Sequence, residues 1–306
     1  VTTGGGAAQG EGDVIRPDPP TRVRHGIVVV PEHRWAESGP RWAAAQDLGF
    51  DHAWTYDHLV WGGLPDSPVF AFAPTLALAS TITSTIGLGV FVASPNFRHP
   101  YVLARDAITL DDASGGRFLL GIGAGGDLDS GILGEDRALR ERVDRFHEFA
   151  GLLDRLLRED HVDHDGAFYV TRDARTLPEP VRDRVPLVVA GNGPRSISLA
   201  ARLGDAWATY GGKGDTVDGW FDHVATLVGR FDDECAQHAR GPLGRYLLLD
   251  ASPRYALESV DLYAEMAGRA AELGFTDVVT HWPRPDGPYA GDVAVLEAVA
   301  SAVLTA

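Results

Sequence analysis

The chain has 306 residues, 44% apolar and 23% charged, with 43 acidic against 27 basic side chains and a net charge of −16. That balance disfavours nucleic acid and anionic membrane as partners, and no stretch reaches the roughly 18 apolar residues of a membrane span. One cysteine, Cys235, excludes a disulfide framework or a cysteine metal site within one chain; a lone thiol fits a reducing cytoplasm.

Residues 1–22 are small, polar and rich in Gly and Pro, without the basic start and apolar centre of a signal peptide. They read as a loosely draped tail ahead of one domain over 23–306. "HGIVVV" (25–30) is a short apolar run, hence a buried strand. A helical spacing over 37–49 ends at Gly49, and "DHAWTY" (51–56) is a second strand. A helix follows over 69–83, with Pro74 near its first turns, then the strand "TIGLGVFV" (85–92). A helix over 100–114 leads to "RFLLGIG" (117–123), and a strongly amphipathic helix fills 139–159. "HVDHDGAFYV" (161–170) reads as a hairpin about Asp165-Gly166. Strands at 185–191, 205–210, 244–250 and 276–282 then alternate with helices at 194–204, 215–239, 257–274 and 292–303.

The strands are apolar with little alternation, as parallel strands buried on both faces should be. Eight β–α units predict a closed (β/α)8 TIM barrel, with the hairpin region as an insertion and a doubly wound open sheet as the alternative. In such a barrel ligands bind where strands end, and unusual residues cluster there. After the second strand come Asp57 and His58, with Trp61 as a candidate ring wall. Asp57 could orient or charge-balance His58 as an acid–base pair; the plainer reading is an ordinary loop Asp and a surface His. No histidines share metal-ligand spacing there, so no metal is expected.

"GIGAGG" (121–126) matches a dinucleotide fingerprint, but "DLDSGILGED" does not read as the helix that such a motif requires. Its glycines could let backbone approach a flat ligand, or simply make a tight loop. "GNGPRS" (191–196) follows a strand and opens a helix with Pro194. It is either an anion site, with Arg195 and Ser196 adding donors to free backbone N–H groups, or an ordinary turn at Gly191 and Gly193. No G-x-S-x-G elbow is present.

The stretches "LGFDHAWTYDHL", "TIGLGVFVASPNFRHPYVLARDAITLDDASGGRFLLGIGAGG" and "VPLVVAGNGPRSISLAARLGDAWATYG" together resemble the luciferase-like monooxygenase superfamily of flavin and deazaflavin TIM barrels. The resemblance implies an isoalloxazine-type ring in the barrel mouth, backed by a non-prolyl cis peptide in a bulge near Gly89-Val90. It implies a cofactor tail held by Ala124, Gly125 and Asp129 and by Asn192, Gly193, Pro194, Arg195 and Ser196, with Arg98 helping to hold phosphate or acidic groups. The Asp-His pair resembles the F420 branch, in which the Asp contacts coenzyme and the His handles a proton. That implies hydride transfer between F420 and a small organic substrate, by a homodimer; the alternative is an FMN monooxygenase using oxygen. Lys213, the one lysine, resembles a phosphate-gripping lysine of F420-dependent glucose-6-phosphate dehydrogenases. Those enzymes also carry a Glu where this chain has Gly126, so that activity is not implied. Trp61, Tyr210 and Lys213 are the expected substrate contacts.

Overall fold

A computed structural model describes residues 22–304. Among them eight parallel strands close a barrel in the order β1 (Arg24–Val28), β2 (His52–Thr55), β3 (Gly87–Ala93), β4 (Phe118–Ile122), β7 (Leu187–Ala190), β8 (Ala206–Thr209), β9 (Gly244–Leu248) and β10 (Asp277–His281), which returns to β1. The hairpin β5 (Val162–Asp165) and β6 (Val170–Ala174) stands apart as the expected insertion. The expected tail lies outside the described residues except for Arg22, whose guanidinium pairs with Asp51 at 2.7 Å. Among the described residues no helix is long and apolar enough to cross a membrane.

The barrel-covering helices are α1 (Trp35–Asp47), α2 (Phe72–Ile82), α3 (Pro100–Ala113), α5 (Leu139–Leu156), α6 (Pro194–Leu203), α7 (Val217–Gln237), α8 (Val260–Glu272) and α9 (Val293–Val299). Their starts carry local signals. Pro100 and Pro194 open α3 and α6, and Thr216 and Ser259 accept backbone N–H bonds at the heads of α7 and α8. A short helix, α4 (Asp127–Ile132), directly follows the glycines of "GIGAGG" with Gly126 at its cap. This corrects the expectation that no helix follows them; six residues escaped a periodicity reading that needs longer windows.

Strand alternation sorts side chains between two cores. Ala53 faces the helices, whereas Trp54 and Tyr56 face the barrel interior with Val28, Phe91 and Tyr246. At the end where strands begin, His52 Nε2 bonds Asp277 at 2.8 Å, Trp54 Nε1 donates to His52 Nδ1 at 2.6 Å, and Arg24 pairs with Asp277 at 2.9 Å. These rings need space opposite them. A Cβ on Gly89 would lie 2.3 Å from the Trp54 ring. The glycine within β3 therefore makes room for an indole. The bulge lies further on, where pairing with β4 shifts between Val90 and Ala93, and the non-prolyl cis peptide is Phe91–Val92. That peptide lies two residues beyond Gly89-Val90, near which the resemblance placed it.

Gly89→Ala should lose about 1–3 kcal/mol through overpacking. Gly229→Ala, on the exposed side of α7 with nothing within 4 Å of its Cβ, should instead gain up to about 1 kcal/mol. Urea denaturation of both variants measures the contrast.

Candidate active site

The loop after β2 brings His58 to the mouth, and a residue from the next-but-one strand holds it there. His58 Nδ1 bonds Asp129 Oδ2 at 2.8 Å, and Asp129 Oδ1 accepts the backbone N–H groups of Leu59 at 2.8 Å and Val60 at 3.3 Å. Asp129 is buried, and both of its carboxylate oxygens are engaged in this clasp. Burial opposes its ionisation, but the His58 contact and the two N–H bonds outweigh that and bring its pKa below the ordinary value. The His58 side chain is 30% exposed, and its Nε2 has no partner among the described residues. A clasped imidazole with one nitrogen open is an acid–base arrangement.

The hydrogen-bond partner of His58 is thus Asp129, which corrects the expectation that Asp57 orients it. Neighbouring residues of an extended chain point to opposite sides. His58 shares a side with Tyr56, their rings 5.8 Å apart, while Asp57 turns the other way onto Arg98, whose Nη2 bonds Asp57 Oδ1 at 2.8 Å. Asp57 Oδ2 and Arg98 Nε are buried without a hydrogen bond among the described residues. Burial pushes the Asp57 carboxyl up to about 6, against the pull of Arg98 and His58. A cavity of about 690 Å³ between α2 and α3 opens onto Asp57, His58 and Arg98.

The other expected residues meet on the same rim with their side chains variously committed. Ala124 and Gly125 lie on the β4 loop, which Asn96 secures by donating to the Gly126 carbonyl at 2.6 Å. Gly125 has φ +74°, and a Cβ there would sit 2.5 Å from the Asn96 amide. Asn192 accepts from Thr209 Oγ1 at 2.7 Å and donates to the Gly211 carbonyl, so it braces two loops. A Cβ on Gly191 would lie 2.4 Å from that of Ser196, which is buried behind it. Gly193 and Pro194 form the open head of α6, but Arg195 pairs with Asp144 at 2.7 Å. Tyr210 and Lys213 are exposed past β8, and Lys213 has no ion pair among the described residues.

Trp61 does form a wall, with partners that sequence reasoning missed. Its ring stacks on Tyr289 at 5.7 Å and lies 5.4 Å from Tyr56; Tyr289 stacks in turn on His281 at 3.5 Å and 8°. Tyr56 hydrogen-bonds His281 Nε2, and His281 Nδ1 bonds Asp250 at 2.7 Å. The signal available was positional: Asp250 and His281 each stand at the end of a barrel strand, where Asp57 and His58 drew notice, but "LLLD" and "VVTH" carry no motif.

With the site in view, comparison with known proteins settles its lineage. The family model described as luciferase-like monooxygenase matches residues 21–284. The chain belongs to this family. It is 36% identical over 174 residues to a Beutenbergia cavernae protein named F420-dependent glucose-6-phosphate dehydrogenase, covering 56% of this chain and 51% of that one. It is 32% identical over 210 residues to the F420-dependent hydroxymycolic acid dehydrogenase of Mycobacterium tuberculosis, covering 67% of this chain and 57% of that one. The chain thus spans about half the length of the first curated relatives that it matches. A solved F420-dependent secondary alcohol dehydrogenase, 16% identical, superposes with TM-score 0.76 over 91% of this chain and 98% of its own, and shares the fold.

The Asp57–Arg98 pair makes a prediction of its own. Arg98→Met should raise the Asp57 pKa above its value of about 6, because the guanidinium lowers it. A carboxyl raised in the folded state from 3.8 to about 6 contributes stability below pH 3.8 that is lost as pH climbs through 6. Carboxyl-carbon NMR of labelled aspartate reads the shift, and Asp57→Asn should flatten the decline in stability over that window.

Proposed function

We propose that the chain is an F420-dependent oxidoreductase that moves a hydride between the coenzyme and a small organic substrate, with His58 handling the accompanying proton. The observation that carries this is the His58–Asp129 clasp, which leaves one imidazole nitrogen free at the barrel mouth. Similarity to proteins named as F420-dependent dehydrogenases supports the coenzyme.

The residues present suit such a coenzyme. The β3 bulge between Val90 and Ala93 lies where the family resemblance implies the support of a flat ring. The Nε groups of Arg98, Arg142 and Arg145 are buried without hydrogen-bond partners among the described residues, and the head of α6 presents backbone N–H groups. Those donors suit phosphate and carboxylate groups, in a protein whose overall charge repels them. F420 supplies a two-electron hydride acceptor and donor; the chain supplies orientation, exclusion of water and proton transfer at His58 Nε2. Gly126 is exposed with nothing within 4 Å of its Cβ, so the position offers no carboxylate to assist.

The same reading includes a homodimer and a cytoplasmic location. Leu78, Ile82 and Val102 expose apolar surface on the α2–α3 flank, which suits a second copy, and the unpaired Cys235 suits a reducing compartment.

Fluorescence titration with F420 and FMN should give micromolar or tighter binding of F420 and weak binding of FMN; the reverse preference, with oxygen uptake, would make the chain a flavin monooxygenase. With a panel of secondary alcohols and F420, His58→Ala should lower kcat about 100-fold or more and leave the F420 Kd nearly unchanged. Equal losses in both would remove His58 from proton transfer. Light scattering should give twice the chain mass, and Leu78→Glu with Val102→Glu should give a monomer.

A further inference from the structure

The reaction proposed above moves a proton at the substrate as well as a hydride, and His58 is one group. Below the aromatic wall lies a second chain of exchangeable hydrogens. Asp250 is buried and saturated: Oδ2 accepts from the His281 backbone N–H at 2.7 Å, from Thr280 Oγ1 at 2.9 Å and from His281 Nδ1 at 2.7 Å, while Oδ1 accepts from the Ala256 N–H at 2.9 Å. A carboxylate so surrounded by donors is an acceptor only. His281 Nδ1 therefore carries a proton, and its Nε2, facing the Tyr56 hydroxyl, holds a lone pair. Tyr56 donates to that lone pair, which leaves its own oxygen able to accept a hydrogen bond from above.

What lies there is a ring bearing a hydroxyl. Tyr289 stacks on His281 at 3.5 Å and on Trp61 at 5.7 Å. The space left at Tyr56, His58 and Trp61 is about 10 Å³, room for about one water. Two features mark Tyr289 as a stand-in and not simple packing. Its φ is +62°, a left-handed backbone that bulky residues avoid. The loop that carries it is latched from outside the slot, by a two-pronged Arg284–Glu32 pair at 2.7 and 2.9 Å and by Arg284 donating to the Asp286 carbonyl at 2.7 Å.

We propose that Tyr56, His281 and Asp250 form the oxygen-binding subsite of the substrate, that Tyr289 occupies it in this structure, and that the natural occupant is a flat, ring-like compound bearing a hydroxyl or carbonyl oxygen. Its role rests on the oxidoreductase reading. In oxidation, the substrate O–H proton would pass to the Tyr56 oxygen as the Tyr56 proton passes to His281 Nε2, which leaves to His58 the proton exchanged on the coenzyme side. The C–H electron pair would leave as hydride to the two-electron acceptor that the oxidoreductase reading supplies, and the O–H pair would become the second bond of C=O. Asp250 balances the imidazolium. Reduction runs the same transfers backwards.

The test needs neither coenzyme nor natural substrate, so its failure is separable from failure of the F420 titration. Tyr289→Gly removes the occupant at a position whose φ suits glycine; Tyr289→Ser serves if that chain does not fold. The emptied slot should bind p-cresol about tenfold tighter than toluene, and Tyr56→Phe in the same background should erase the preference. 4-Nitrophenol bound there should ionise at lower pH than in water, seen in its absorbance, because the relay takes its proton; His281→Gln should reverse that shift while binding persists. Equal affinity for cresol and toluene, or bound nitrophenol that ionises at higher pH as burial alone dictates, overturns the subsite.

Discussion

A buried carboxylate must find its partner or lose its charge, and at this barrel mouth each partner comes from a different strand end. Asp129 after β4 takes His58 after β2; Asp57 after β2 takes Arg98 after β3; Asp250 after β9 takes His281 at the end of β10. The rim is thereby stitched into one surface by interactions that are costly to break singly. Removing one partner of such a pair leaves the other buried and uncompensated, a penalty of about 3–5 kcal/mol. Catalytic groups held this way stay within a narrow range of positions, which loop residues without cross-strand ties would not.

That stitching also decides what a reader of the sequence could and could not see. The barrel was legible because its strands are short, apolar and regularly spaced, and because buried parallel strands leave that signature in composition. The importance of "YDH" was legible from its place after a strand. Its internal arrangement was not, because sequence adjacency suggested that Asp57 serves His58, whereas the two-residue period of extended chain turns them apart. Asp129 was legible as a rim residue, but its bond to His58 was not, since a pairing across strands leaves no local trace. Gly89 misled for a related reason: the glycine answers an indole on the neighbouring strand, and nothing within β3 records Trp54.

Electrostatics sharpen the contrast between the whole surface and the site. A chain of net charge −16 can hold an anionic ligand only by gathering cations locally. At this rim the buried cations are arginines that are already half used. Arg145 binds Glu135 at 2.9 Å and Asn96 at 3.1 Å, and Arg98 binds Asp57, yet each keeps a buried Nε unpaired. An arginine fixed by one pairing loses less freedom when it meets a second anion than a solvated lysine does. Exposed Lys213 offers the opposite: a mobile charge suited to meeting a ligand at the entrance.

Among the described residues three histidines pair with a fully buried aspartate, and location separates their meanings. His52–Asp277 lies where the strands begin, with Nε2 on the carboxylate and Nδ1 accepting from Trp54, so both nitrogens are spent on structure and no proton has anywhere to go. His58–Asp129 lies where strands end and keeps one nitrogen open. His281–Asp250 is intermediate: both nitrogens are used, but the second rests on a hydroxyl that can itself pass a proton on. Composition alone would rank the three alike, and burial sets apart only His58. What distinguishes a brace from a site is whether the hydrogen-bonded chain terminates inside the protein or at the mouth, and in a barrel of parallel strands that follows from which end of the strand carries the residue.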